Sequence, residues 1–192
     1  MTGQIPDTVH LDGMSYAITA VDGEGLFIPE DHGLRIRPLS TACWRGFVCF
    51  YAVRDGQLVL ETLEVGLGPD HPHVTLDGRR PEKAGRRRGH HQTATLYREL
   101  AIPVAYRGRL LLGAERDLYT HMGFQPAWYY QRVVELVVND GRVSNVTDRS
   151  AELAEVRRRL RDEPRRPRSS DGPGDWITRT FSLDYSYSWP DA

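Results

Sequence analysis

Lysine is nearly missing from this 192-residue chain: Lys83 stands alone, and every other basic side chain apart from histidine is arginine. Arginine codons are GC-rich and lysine codons are not. The bias therefore reads as the mark of a GC-rich bacterial genome rather than of a ligand surface. Cysteine is scarce too. Cys43 and Cys49 are the only two, too few for a disulfide framework. On one extended strand they would share a face about 20 Å apart, out of bonding range unless the chain turns back between them. Reduced, buried thiols are the expectation. No apolar run approaches the length of a membrane span, and no apolar leader core opens the chain. A formal net charge of −1 supplies no global field for nucleic acid or an anionic membrane. These absences describe a cytoplasmic chain, with neither membrane nor nucleic acid expected as a partner.

Several motifs are missing as well. There is no Walker A loop, no dinucleotide fingerprint, no Gly-x-Ser-x-Gly elbow and no His-Glu-x-x-His pair. His71, His73, His90 and His91 cluster in one stretch, but no cysteine spacing or acidic cluster accompanies them. No metal site and no cofactor are expected.

What is present is the grammar of hairpins. Asp-Gly recurs at Asp12-Gly13, Asp22-Gly23, Asp55-Gly56, Asp77-Gly78 and Asp140-Gly141. Asp-Gly suits the tight turns that join antiparallel strands, because glycine accepts positive φ. The clearest hairpin runs from Ala42 to Val65, and its first arm carries apolar bulk on both faces, as a central strand does. Aligning Asp140-Gly141 on Asp55-Gly56 produces a second copy, in which Tyr130 falls opposite Arg45. Tyr106–Leu112 is a weaker third echo.

Residues 66–91 are rich in glycine and proline and poor in apolar side chains, so they read as a long flexible loop. Ser150–Leu160 reads as a helix, with Leu153, Val156 and Leu160 on one face. Asp148 or Ser150 caps its start, and Arg157, Arg158 and Arg159 complement the dipole at its end. Residues 162–175 have linker composition. Phe181, Leu183, Tyr185, Tyr187 and Trp189 then alternate with small polar residues, predicting a C-terminal strand within 176–192 that docks on the same domain. The expected fold is mainly β. It is a bent antiparallel sheet, sandwich or partly open barrel of hairpins spanning residues 1–161, with one C-terminal helix and a terminal aromatic strand.

The candidate site begins at Thr120–Tyr130, where rings crowd around His121 and Gln125 just before a strand. Histidine can act as acid, base or ligand at neutral pH, and the glutamine amide both donates and accepts. Glu135 sits among valines and leucine; burial there would raise its pKa and suit it to acid/base work. Arg45, placed in an apolar strand, needs a carboxylate or a ligand anion. Glu61, Glu64 and Glu135 are its candidate protein partners. The expected pocket joins Trp44, Arg45, Tyr51, His121, Gln125, Trp128 and Tyr130, with His121 and Glu135 as the catalytic pair if there is turnover.

Three functions fit. The first is a small-molecule binding protein whose ligand is anionic or polar-aromatic. The second is a metal-independent isomerase, cyclase or lyase with His121 as acid/base. The third is an inhibitor or immunity-type module that meets a protein partner through the C-terminal strand or the basic residues Arg79, Arg80, Lys83, Arg86, Arg87 and Arg88.

Overall fold

Four of the five Asp-Gly pairs named above make the expected turns. Asp12-Gly13, Asp55-Gly56, Asp77-Gly78 and Asp140-Gly141 take positive φ at both residues, the signature of the type I′ turn whose twist matches paired strands. The computed structural model describes residues 3–72, 74–83, 94–116, 123–160 and 181–189. Within it, Asp12-Gly13 joins β1 (Thr8–Leu11) to β2 (Met14–Glu24). Asp55-Gly56 joins β3 (Phe47–Arg54) to β4 (Gln57–Val65). Short strands β5 (Glu82–Lys83), β6 (Thr95–Tyr97) and β7 (Ile102–Pro103) follow, then β8 (Arg107–Arg116). Asp140-Gly141 joins β9 (Tyr130–Asn139) to β10 (Arg142–Asp148), and helix α1 (Ser150–Leu160) comes after.

The fifth pair is a correction. Asp22-Gly23 is no turn; it lies inside β2, where Gly23 faces Gly108 of β8. A β-carbon on Gly23 would overlap the Arg107 carbonyl oxygen, and one on Gly108 would overlap that of Asp22. Glycine is required there by close approach of two backbones rather than by chain reversal.

The strands close into a barrel. Their order is β10-β9-β8-β2-β1-β3-β4, and β4 meets β10 again through Gln57 and Arg142, making seven strands in the ring. The seam is built from the two hairpin turns that echo each other in sequence. The Leu58 N–H donates to the Gly141 carbonyl at 2.7 Å, and the Val143 N–H to that of Gly56 at 2.8 Å. β6 and β7 pair with β4, and β5 continues beyond β6. One pairing departs from the antiparallel expectation: β1 and β3 run parallel. Residues 25–46 step over β1 before β3 begins.

Alternation sorts the side chains, as a pleated strand requires. Val134, Leu136 and Val138 of β9, with Leu110 and Leu112 of β8, point into the barrel beside Ile18, Tyr51, Leu60, Tyr97 and Tyr106. Leu111 and Val133 point outward and form a second core with Ala20, Tyr130 and Leu153. α1 covers that outer core over the predicted span. The Asp148 carboxylate accepts from the Ser150 N–H at 2.8 Å, and Leu153 and Val156 are buried. Replacing Leu153 with alanine is expected to destabilise the fold by about 2–5 kcal/mol, read by chemical denaturation; a loss near zero would mean that α1 covers nothing of consequence.

Three further expectations change. Residues 66–91 are not one irregular loop: Leu67 bridges Ile36, Leu76 bridges Arg79 around Asp77-Gly78, and β5 pairs with β6. Residues 84–93, including Arg86, Arg87, Arg88, His90 and His91, lie outside the described residues, as does His73. The arm from Ala42 is not strand until Phe47; residues 40–46 turn, with Cys43 bonded back to Ser40 and Gly46 to Cys43. Cys43 and Cys49 are both free and buried. Last, residues 181–189 do dock on the barrel, but not as a strand. Leu183 and Asp184 touch β2 through one bridge, and Tyr185–Ser188 then coils into a 3₁₀ turn. The Asp184 carboxylate accepts from the Ser186 N–H at 2.8 Å and so caps that turn. Local capping here overrides an alternating pattern that has almost no neighbouring strand to pair with.

Candidate functional site

Three segments far apart in sequence meet beside the start of β3. They are residues 3–5 ahead of β1, residues 40–46 ahead of β3, and Gly123–Gln125 ahead of β9. Gly3 and Gly123 form a parallel bridge, and the Ile5 N–H donates to the Ala42 carbonyl at 2.8 Å. The Gly123 carbonyl accepts two donors, the Gln4 N–H at 2.7 Å and Gln125 Nε2 at 3.4 Å. The Gln4 side chain then reaches the third segment. Its Nε2 donates to the Thr41 carbonyl at 2.9 Å, and its Oε1 accepts from the Trp44 N–H at 3.3 Å. A continuous run of hydrogen bonds thus leads from buried Gln125, through Gly123 and Gln4, to the backbone of Trp44.

Beneath this run lies an ion pair. Arg45 Nη1 donates to Asp7 Oδ2 at 2.8 Å, and Nη2 pairs with Oδ1. The Asp7 carboxylate, 4% exposed as a residue, also accepts from the Cys49 N–H at 2.6 Å. The Arg45 guanidinium lies over the Phe47 ring, 4.7 Å from its centroid. Gly46 holds φ at +82°, and a β-carbon there would press on the Arg37 carbonyl at 2.5 Å, so only glycine fits this position. Burial pushes the Cys43 and Cys49 thiols upward, and both stay protonated at neutral pH. Glu64, 2% exposed, sits in the cross-strand row between Val48 and Leu96. The product of these restraints is a rigid turn that carries Trp44, whose own side chain is 70% exposed.

The expected pocket is only partly assembled. Trp44 and Gln125 share the hydrogen-bonded run, with Arg45 directly below it. Tyr51 instead points into the barrel, where burial raises its pKa and its hydroxyl accepts from the Phe27 N–H at 3.2 Å. Trp128 and Tyr130 belong to the outer core beside α1. The Tyr130 ring lies flat on Gly113, filling the space where a side chain would stand. His121 lies outside the described residues. Arg45 pairs with Asp7, which was not among its expected partners. Glu61 pairs with Arg54, Glu135 with Arg149, and the parallel β1–β3 register brings up Asp7. Gln4 and Asp7 were not legible as site residues. They are ordinary polar side chains, and only long-range pairing reveals their use.

Glu135 also changes role. Burial alone would push its carboxyl upward, but hydrogen bonds from the Tyr185 hydroxyl and from Arg149 outweigh it and hold the pKa below the ordinary 4.5. Arg149 Nη2 donates to Oε1 at 3.0 Å, and Tyr185 donates to Oε2. Glu135 is therefore a fixed anion anchoring the C-terminal segment, and the expectation of a raised, proton-donating carboxyl is overturned. Its contribution to stability is complete above the unfolded value near 4.5 and is lost as pH falls through the lower folded value. NMR signals of Tyr185 and Trp189 are expected to hold constant from pH 7 to 5 and to move to free-chain positions only below about pH 4; release at pH 6 would contradict the depressed carboxyl.

Among the described residues no helix is long and apolar enough to cross a membrane, and no cluster of metal-ligating side chains forms. No family model, no curated protein and no solved structure matches the chain.

Proposed function

We propose that this chain is a cytoplasmic bacterial binding protein that takes a small polar-aromatic ligand at the 40–46 turn that bears Trp44. The observation that carries this reading is an indole 70% exposed on a turn held from below by Arg45–Asp7 and from the side by Gln4. A large apolar ring in water is unfavourable, and covering it gains about 25 cal/mol per Å². On a rigid turn, the entropy of ordering the platform has already been lost, so stacking proceeds with little further loss. Gln4 spends its amide on the Thr41 carbonyl and the Trp44 N–H, so it fixes the platform. The anionic alternative loses support, because both terminal nitrogens of Arg45 are engaged by Asp7. Two free buried thiols agree with a reducing compartment.

The test is native mass spectrometry of protein purified gently from its source, followed by titration of the identified compound. Trp44→Ala is expected to weaken binding about 10-fold or more with the melting temperature unchanged. Full retention of the compound by that variant would refute the placement. A second reading has its own support: Trp44 projects outward, and tryptophans are common anchors of protein interfaces. In that case the same variant loses a protein complex while no small molecule is found. An enzymatic reading now rests on His121 alone, and requires turnover that disappears in His121→Ala while binding persists.

A further inference from the structure

The C-terminal segment fills a site made of three different features of the barrel. The first is an open strand edge. β1 pairs with β2 only as far as Ala17, so the edge of β2 beyond it is uncovered by β1. The Val21 N–H on that edge donates to the Leu183 carbonyl at 2.6 Å, and Val21 bridges Asp184 in parallel. The second is a socket for a phenol. Tyr185 reaches Glu135, a residue 4% exposed, with its hydroxyl, while the Arg109 guanidinium lies 4.4 Å from the centre of its ring. Burial and the bond to Glu135 push the Tyr185 pKa up to about 12, so the hydroxyl stays a donor. The third is an apolar wall. Tyr185 and Trp189 pack on the outer core of Ala20, Leu111, Tyr130, Val133 and Leu153.

Such a site combines strand addition, which supplies affinity through main-chain bonds, with side-chain sockets that supply specificity. A buried carboxylate that must be matched by a hydroxyl rejects segments lacking one. We propose that this groove is an exchangeable peptide site, and that its occupant in trans is the Phe181–Trp189 segment of a second copy of the chain. The complementarity is written for that one sequence. Residues 161–180 separate the segment from α1, twenty positions that bridge at most about 70 Å, enough to reach a neighbouring molecule. In the isolated chain the segment's own groove holds it at an effective concentration in the millimolar range, so exchange is hidden until one copy's segment is disabled.

The experiment uses two full-length variants. Tyr185→Ala has an intact groove and a disabled segment; Glu135→Ala has an intact segment and a disabled groove. Each alone is expected to be monomeric by light scattering, and their equimolar mixture to form a one-to-one complex that neither makes by itself. A synthetic peptide of residues 181–189 is the second arm. It is expected to bind the Tyr185→Ala chain at least 10-fold more tightly than the wild type, whose own segment competes. It should lose about 10-fold when its tyrosine 185 is replaced by phenylalanine. Should Glu135→Ala fail to fold, the peptide arm decides alone; should Tyr185→Ala leave the segment docked, Tyr185→Ala with Trp189→Ala replaces it. No complex and no peptide binding at millimolar concentration to a chain whose segment NMR shows released would overturn the proposal. So would equal peptide binding to wild type and variant, which places the peptide elsewhere.

Discussion

Asp7→Ala is expected to lower the free energy of unfolding by about 3–5 kcal/mol, measured by urea denaturation. The carboxylate is buried and has three donors: both terminal nitrogens of Arg45 and the Cys49 N–H. Removing it strands the N–H without a partner and leaves a guanidinium, with 26% of its side chain exposed, facing an apolar surround. The loss from breaking such a pair comes mostly from the partner left behind rather than from the Coulomb attraction itself. Removing both sides should therefore hurt less than the single changes suggest. Asp7→Ala with Arg45→Met is expected to be more stable than the sum of the two single losses implies, by at least about 1 kcal/mol. The 40–46 turn should loosen in Asp7→Ala, so Trp44 fluorescence should gain mobility even well below the unfolding midpoint. A variant within about 0.5 kcal/mol of wild type would show that the turn is held by other contacts, and the rigid platform beneath Trp44 would lose its basis.

The second large effect is expected at Gly108. Its φ is +139°, and a β-carbon there would overlap the Asp22 carbonyl oxygen and approach the Gly23 Cα at 2.7 Å. Neither neighbour is a flexible side-chain end; both are backbone of the paired strand β2. Alanine must either part β2 from β8 or abandon the φ value, and Tyr106, whose hydroxyl donates to the Arg109 carbonyl at 2.9 Å, would be displaced with them. Backbone strain and overpacking together predict a loss of about 3–5 kcal/mol, read as a shifted denaturation midpoint. Gly13→Ala is the control. Gly13 also has positive φ, at +80°, but nothing lies within 4 Å of its β-position, so only the conformational strain of about 1 kcal/mol should appear. Equal losses at both positions would mean that φ, and not the close approach of β2 and β8, governs Gly108.

The hairpins were readable because their information is local. Asp-Gly at four turns, alternation along β9 and the spacing of Leu153 and Val156 each lie within a few residues of the structure they specify. Asp22-Gly23 shows the limit of that reading. The same dipeptide serves a turn at Asp12-Gly13 and a backbone crossing inside β2, and nothing within the pair distinguishes the two. The tail shows the converse: Tyr185, Tyr187 and Trp189 alternate as a strand would, yet the described barrel offers β2 as an edge only at one bridge, and Asp184 caps a 3₁₀ turn instead. Arg45 could be recognised as needing a carboxylate, but the carboxylate could not be named, because Asp7 arrives through a parallel pairing 38 residues away.

By itself the sequence determined the β3–β4 and β9–β10 hairpins, four chain reversals and the helix, since each follows from backbone preference and apolar period over short stretches. It also determined that Arg45 would need a partner. The tertiary structure alone decided which partners those are: the barrel seam between Gly56 and Gly141, the Asp7–Arg45 pair, the Gln4 link to Trp44 and the Glu135 socket for Tyr185. Each of these is a contact between residues remote in sequence, set by strand register and barrel closure, and register is a property of the whole sheet rather than of any residue in it.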